Sequence, residues 1–362
     1  MRLTYLLLLA VSLFTFTILW LLPLPSSSAP TETPQKNSIT SFLDHFNKKI
    51  TKPNPVKITL AGDVLLARSV AAKTLKQKDI NYPFLKVSPF LSSADIAFFN
   101  LESPIFSIHD EVSVNSTSFH TEPEFISTLK NSGVDIVSLA NNHTPNQGQA
   151  GLQSTIDYLN SVNIKSVGAG NLSDAYKLQT FYVNGQVIGF LAYSDPTLVP
   201  PIYAAAANHL GTAMINSDQI KKELTLAKTQ VDWLLVSLHF GNEYSSQPSK
   251  KQIEISHLAI DSGADFVIGH HPHVLQPIEQ YKNGIIFYSV GNFVFDQMFS
   301  LSTRESVLVT LSLNKDHTKK ISLLPLMIDN FSQPHPANSQ ESINIIKVLS
   351  PPPAFTTQSL IP

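Results

Sequence analysis

Cysteine is absent from all 362 residues. Its absence excludes disulfides, thiolate metal ligands and the lipobox cysteine on which one type of bacterial lipid anchor depends, and it is compatible with an oxidising compartment. Charge is scarce too: 14% of residues are Asp, Glu, Lys or Arg, with a formal net charge of −2. Such a chain offers no basic footprint for nucleic acid. A third absence is local. After Arg2, the run Leu3–Leu24 holds no charged residue and is dense in Leu, Phe, Ile and Trp. About 20 such residues span a bilayer as a helix, whereas the apolar part of a secretory signal is only about 7–15 residues long. Residues 1–24 are therefore expected to anchor the chain in a membrane. The alternative is a signal cleaved near Ser26-Ser27-Ser28-Ala29, where Pro30 disfavours cutting after Ala29. Either way the remainder is expected to be exported.

Residues 25–55 are rich in Pro, Ser, Thr and Asn and read as a flexible tether, with one short helix expected over 38–49. Beyond about residue 330, Pro334, Pro336 and Pro351–Pro353 point to an extended tail over 331–362. Between them lies a body over 56–330, long enough for one large core and without an internal linker.

Four segments of the body share a shape. Asp95 leads Ile-Ala-Phe-Phe to Asn100-Leu101-Glu102, and Asp135 leads Ile-Val-Ser-Leu-Ala to Asn141-Asn142-His143. Asp232 leads Trp-Leu-Leu-Val-Ser-Leu to His239, and Asp265 leads Phe-Val-Ile to Gly-His-His-Pro-His at 269–273. A fifth apolar run, Val56–Ala61, ends in Gly62-Asp63. Continuous apolar runs of this length read as strands buried on both faces. Helices are expected over Glu124–Asn131, Gln149–Asn160, Ser217–Gln230 (with Ser217 as N-cap) and Lys251–Asp261; two are followed by Ser-Gly and then a strand. Asn184-Gly185 marks a two-residue hairpin, and further strands are expected over 284–290, 306–313 and 320–328. Alternating helices and strands with added hairpins predict an α/β layered sandwich of mixed sheets.

In open α/β sheets ligands bind outside the carboxyl ends of the strands. One crevice is thus expected to gather Asp63, Glu102, Asn142, His143, His239, His271 and His273. Two imidazoles flanking Pro272 at a strand end suit a first-row divalent cation. Carboxylates at 63 and 102 are expected as further ligands, Glu102 bridging two cations if two are present. His143 beside Asn142 is placed to donate a proton to a leaving oxygen. His270 is expected to be packed or to support the ligands, since three histidines in four positions cannot all face one metal. Glu243 is either a partner orienting an imidazole or an exposed acid. Arg68 offers a bidentate grip on phosphate or carboxylate, or a structural salt bridge. Gly291-Asn292-Phe293 is expected at the crevice rim, with Phe240, Tyr244, Phe293 and Phe295 as walls or core.

Six blocks carry a resemblance to the CapA family, the bacterial capsule-synthesis proteins associated with poly-γ-glutamate. They are Ala-Gly-Asp-Val-Leu-Leu-Ala-Arg at 61–68, Asn-Leu-Glu-Ser-Pro at 100–104, Ala-Asn-Asn-His at 140–143, His-Phe-Gly-Asn-Glu-Tyr at 239–244, Gly-His-His-Pro-His-Val-Leu-Gln at 269–276 and Tyr-Ser-Val-Gly-Asn-Phe-Val-Phe-Asp-Gln at 288–297. That family in turn resembles calcineurin-like metallophosphoesterases. The resemblance implies a four-layer α/β/β/α sandwich and a site for one or two divalent ions, among manganese, zinc, iron and magnesium. By the same resemblance, Asp63 and His273 would hold one ion, Asn142, His239 and His271 the other, with Glu102 bridging and His143 donating a proton. The chain departs from the pattern in three places. Leu65 stands where the metallophosphoesterase Asp-x-His motif has its histidine, the bridging carboxylate is Glu rather than Asp, and Asn146 replaces an aspartate common in relatives.

The resulting expectation is a single-pass protein of a bacterial cell membrane with its domain on the extracytoplasmic side. It would serve capsule or poly-γ-glutamate biosynthesis with a metal-dependent hydrolase-like site, and its partners would be an anionic surface polymer or the machinery that makes it. Two other readings remain open: a polymer-binding or assembly factor without catalysis, and a free-standing phosphodiesterase or nucleotidase, for which no separate nucleotide-binding motif is present.

Overall fold

Aspartate stands immediately before four buried strands, and the backbone shows why. The computed structural model describes residues 54–108 and 114–358. The expected membrane segment 1–24, the helix over 38–49 and all but the last two residues of the tether 25–55 lie outside them. Among the described residues no helix is long and apolar enough to cross a membrane.

In chain order the strands are β1 (Val56–Val64), β2 (Ile96–Leu101), β3 (Ile136–Ser138), β4 (Lys165–Val167), β5 (Ala169–Gly170), β6 (Gln179–Val183), β7 (Gln186–Ser194), β8 (Gly211–Thr212), β9 (Trp233–His239), β10 (Phe266–His270), β11 (Ile278–Tyr281), β12 (Gly284–Phe287), β13 (Asn292–Val294), β14 (Glu305–Leu313), β15 (Lys319–Asp329), β16 (Gln333–Pro336) and β17 (Thr356–Thr357). The α-helices are α1 (Arg68–Gln77), α2 (Ser88–Ser92), α3 (Ile126–Ser132), α4 (Gly148–Ser161), α5 (Leu172–Ala175), α6 (Ser217–Lys228), α7 (Lys250–Asp261) and α8 (Ser339–Leu349).

One sheet runs β16-β15-β14-β1-β2-β3-β4, with β13 beside β1 and β17 beside β15; the second runs β11-β12-β10-β9-β7-β6. Both are mixed. Strands β1 to β4 are parallel with β14 antiparallel to β1, and β7, β9, β10 and β12 are parallel between the antiparallel edges β6 and β11. Alternation in each strand divides the apolar side chains into layers. Ile58, Phe98, Phe190, Leu235 and Ile268 fill the space between the sheets. The outer face of the first sheet packs against Val70 of α1, Leu129 of α3 and Leu152 of α4. The outer face of the second packs against Ile220 and Leu224 of α6 and Ala259 of α7. The α/β expectation of mixed sheets in layers is met.

Each strand-leading aspartate accepts a hydrogen bond from the backbone at the start of the neighbouring strand. Asp95 Oδ2 accepts from Lys57 N at 2.8 Å, Asp135 from Ala97 N at 2.8 Å, Asp232 from Val187 N at 2.7 Å and Asp265 from Leu234 N at 2.7 Å. In return the amide of each aspartate donates to the carbonyl of the same neighbour, as in Asp95 N to Lys57 O at 2.9 Å. These reciprocal pairs pin the parallel register. A strand slipped by one residue would turn its apolar side chains to the wrong face, so the pins also level the carboxyl ends at which the polar residues sit.

Three expectations need correction. Over 331–358 the extended tail expected for 331–362 is not observed, for β16 pairs with β15, and Ile345 and Leu349 of α8 are fully buried in the inter-sheet core. Pro334 and Pro336 are accommodated because β16 is an edge strand, where a missing N–H costs no ladder bond. Helix α6 is capped by Asn216, whose side chain accepts from Gln219 N, rather than by Ser217. The strand expected over 284–290 also divides: β12 ends at Phe287, and the chain crosses to the other sheet as β13, paired with β1. At the hairpin, Asn184 and Gly185 have φ of 50° and 76°, as a type I′ turn requires.

Asp135→Ala would leave the Ala97 N–H without its acceptor, at an expected cost of roughly 1–3 kcal/mol. Asp135→Asn, which retains an acceptor oxygen, should lose less. Urea unfolding of the two variants measures the difference, and equal, negligible losses would show that the pin does not matter.

Candidate metal centre

A bulge aims the first carboxylate. The register of β1 against β2 shifts between Leu60 and Asp63, which turns Asp63 into the inter-sheet space where plain alternation would have put residue 62. Only glycine fits at 62, where a Cβ would lie 1.9 Å from Gly291 O. Asp63 is completely buried. Its Oδ1 accepts from Asn100 Nδ2 at 2.9 Å and meets His270 Nδ1 at 3.0 Å. Its Oδ2 accepts from the backbone N–H of His271 at 3.2 Å and lies 3.5 Å from His273 Nδ1. Burial alone would raise this carboxyl, but the bonds from His270 and His273 outweigh it and hold it well below the usual carboxylate range.

The loop after β3 supplies two amides and one acid–base group. Asn142 Oδ1 lies 2.9 Å from His239 Nε2, while Asn142 Nδ2 lies 3.4 Å from His143 Nε2. Asn146 Oδ1 accepts from Phe119 N at 2.8 Å and meets His143 Nδ1 at 3.0 Å. The bond from Phe119 fixes which end of the Asn146 amide faces the ring, so Nδ1 of His143 carries the proton and Nε2 is bare. Phe119 also stacks on the imidazole, with centroids 3.9 Å apart. Burial lowers His143 to about 4, against the opposing bond to Asn146. At neutral pH His143 is thus a proton acceptor, and it can serve in the expected donor role only after taking up a proton.

Glu102 and the 269–273 loop complete the cluster. Glu102 Oε1 accepts from Asn100 Nδ2 at 3.1 Å and lies 3.8 Å from His239 Nδ1, while Oε2 is buried with no hydrogen-bond partner. Burial, and after it the charge of Asp63, hold Glu102 well above its usual range. A buried carboxylate short of positive charge is what a cation site looks like before the cation is counted. His239 is held well below its ordinary value by burial and then by His271. His271 is lowered to about 3 by burial and then by His273, so its ring is neutral and keeps a lone pair to give. Its centroid is 4.9 Å from that of His239. Burial works against a charged His273, but Glu102 and Asp63 outweigh it and raise the ring to about 9, with Nδ1 2.9 Å from Asn292 Oδ1. The loop is strained: His271 has φ 96° and His273 φ 57°, values rare outside glycine.

The crevice brings together Asp63, Glu102, Asn142, His143, His239, His271 and His273. Asp63, Glu102 and His239 offer atoms within 4.8 Å of one another, and so do the exposed Glu243 and the buried His271 and His273. His270 supports Asp63 from beneath. Asn292 steadies His273 and also donates to Thr303 O at 3.0 Å. Arg68 forms an ion pair with Asp296 and lies over the Phe119 ring at 4.7 Å, so of its two expected roles the salt bridge is the one observed. Leu65 is fully buried with Ala67, Phe119 and Phe295. Sequence reasoning assigned no role to Asn100, Asn141 or Phe119. Asn100 shares a strand face with residue 102, and that two-residue spacing was the available signal. Asn141 Oδ1 accepts from His143 N at 3.0 Å and Thr144 N at 2.9 Å, which holds the turn. Nothing in the sequence places Phe119 over His143.

Residues 57–297 match the family described as bacterial capsule synthesis protein PGA_cap. The chain is 33% identical over 302 residues to the capsule biosynthesis protein CapA of Bacillus anthracis, covering 81% of this chain and 71% of that protein. It is 33% identical over 273 residues to the PGA biosynthesis protein CapA of Bacillus subtilis strain 168, covering 75% and 71%. Among solved structures, a hypothetical protein from Thermus thermophilus aligns with a TM-score of 0.48 at 13% identity, covering 75% of this chain and 99% of that one.

In the metal-free protein, the raised value of His273 links the cluster to stability. An unfolded histidine titrates near 6.5. The contribution is therefore complete below that pH and is lost as pH rises through about 9. The urea midpoint should fall between about pH 6 and about pH 9.5, and His273→Gln should flatten the fall. A wild-type midpoint that does not fall would contradict the assignment.

Proposed function

Because the chain belongs to the bacterial capsule synthesis family PGA_cap, we propose that it is an accessory protein of cell-surface polymer assembly whose crevice is a metal-dependent, hydrolase-type centre of the metallophosphoesterase kind. The observation that carries the reading is Glu102: fully buried, with Oε2 unpartnered and Oε1 3.8 Å from the imidazole of His239, at the carboxyl ends of two sheets. Asn142 Oδ1, His239 Nε2 and His271 are the groups that would hold a divalent cation, with Glu102 beside them. The donor set of amide oxygen and imidazole nitrogen suits manganese, iron or zinc. A cation there supplies Lewis acidity to a phosphoryl or acyl oxygen and makes a water more acidic. His143 Nε2, the bare nitrogen in the crevice, would accept a proton there and could return it to a leaving oxygen. Asp63 holds the loop that carries His271 and His273, and Phe119 keeps solvent off one face of His143.

The substrate in this reading is an anionic surface polymer of the poly-γ-glutamate kind, or a precursor of it. Residues 1–24 tether the protein to the cell membrane with the domain on the extracytoplasmic side. Their uncharged run and the export-compatible lack of cysteine support this placement. A second reading, polymer binding without turnover, draws support from Leu65, whose apolar packing supplies no ligand beside Asp63.

The test is the metal content of the purified full-length chain against His239→Ala and His271→Ala, together with hydrolysis of a generic phosphodiester in added manganese or zinc. Bound metal that drops at least about 10-fold in both variants, with hydrolysis lost in parallel, is the expected outcome. Metal without turnover would favour the binding reading. A wild-type chain that takes up no metal after reloading would sink the centre altogether.

A further inference from the structure

Resting on the cation centre proposed above, we infer that this chain holds one divalent cation rather than two, because the side chain of Asn100 occupies the inner of the two positions. Asp63, Glu102 and His239 form a fully buried group whose ligand atoms lie within 4.8 Å of one another. The amide nitrogen of Asn100 sits among these same atoms, 2.9 Å from Asp63 Oδ1, 3.1 Å from Glu102 Oε1 and 3.3 Å from His239 Nδ1. A cation bound to the two carboxylate oxygens at about 2.0–2.2 Å would have to share that space with the amide. Nor is Asn100 free to turn away. Its Oδ1 accepts from Asn141 Nδ2 at 3.1 Å, and Asn141 Nδ2 is itself held by Leu101 O at 2.8 Å.

Asp63 is saturated as well. Asn100, His270, the backbone of His271 and His273 already surround its two oxygens. The side chain two residues on, Leu65, is buried in an apolar cluster and supplies no replacement ligand. The two outer groupings, Asn142 with His239 and His271 or Glu243 with His271 and His273, both need His271. A neutral imidazole has one lone pair to give, so the two cannot be complete together. One cation therefore enters, at the outer side of the cluster, and the inner position is held by an internal amide that hydrogen-bonds one oxygen each of Asp63 and Glu102.

The experiment loads the full-length chain with Mn²⁺ alone and reads stoichiometry by equilibrium dialysis and spin coupling by low-temperature electron paramagnetic resonance. One Mn²⁺ per chain with the six-line signal of an isolated ion is expected. In Asn100→Ala, which empties the inner position, a second Mn²⁺ and an exchange-coupled signal are expected. Two coupled ions in the wild type would overturn the inference while leaving the proposed centre intact, whereas no Mn²⁺ in the wild type would remove the centre on which the inference rests. A folded Asn100→Ala chain that still takes one ion would overturn the assignment to Asn100.

Discussion

Everything at the crevice depends on the strands ending level, and the aspartate carboxylates that receive backbone N–H groups across each parallel pair enforce it. The bonds at Asp95, Asp135, Asp232 and Asp265 are 2.7–2.8 Å long and sit at the opposite end of the strands from the site. Parallel strands have no hairpin turn to set their register, so a local side-chain device substitutes for one. With the amino ends pinned, Asn100, His239 and His270 face one another across the inter-sheet space. The bulge after Leu60 then adds Asp63, which alternation would have turned outward.

The cluster so formed is rich in hydrogen bonds and short of compensating charge. Asp63, surrounded by Asn100, His270, His271 and His273, is held well below the usual carboxylate range, whereas Glu102, with one oxygen unpartnered, is held well above its own. Two buried carboxylates of the same type thus behave oppositely because of what surrounds them. The ionised one organises the strained 269–273 loop, and the other waits for positive charge. Asn142 divides its amide between the two chemical tasks, its oxygen toward His239 and its nitrogen toward His143.

Much of this was legible in the sequence, and the physical reason differs from part to part. Strand ends could be read because doubly buried strands are unbroken apolar runs and their tips are abruptly polar, which exposed Glu102, Asn142, His239 and His271 together. The role of the repeated aspartates could not be read, because their partners are backbone amides of other strands. The C-terminal segment misled because prolines that end a central strand are harmless at an edge, and because Ile345 and Leu349 declare themselves as core only once α8 meets β14 and β15. Asn100 was hidden inside an apolar run, and Phe119 reaches His143 from a loop with no periodicity to betray it. For Arg68 the residue type left two roles open, and only its neighbour Asp296 decided between them.

In the proposed centre a divalent cation is held by Asn142, His239 and His271. Anomalous diffraction from manganese-soaked crystals of the full chain tests it most directly. A single manganese peak within bonding distance of Asn142 Oδ1, His239 Nε2 and a ring nitrogen of His271 is the expected result. A crevice without a peak, in crystals where manganese is bound elsewhere on the molecule, would contradict it.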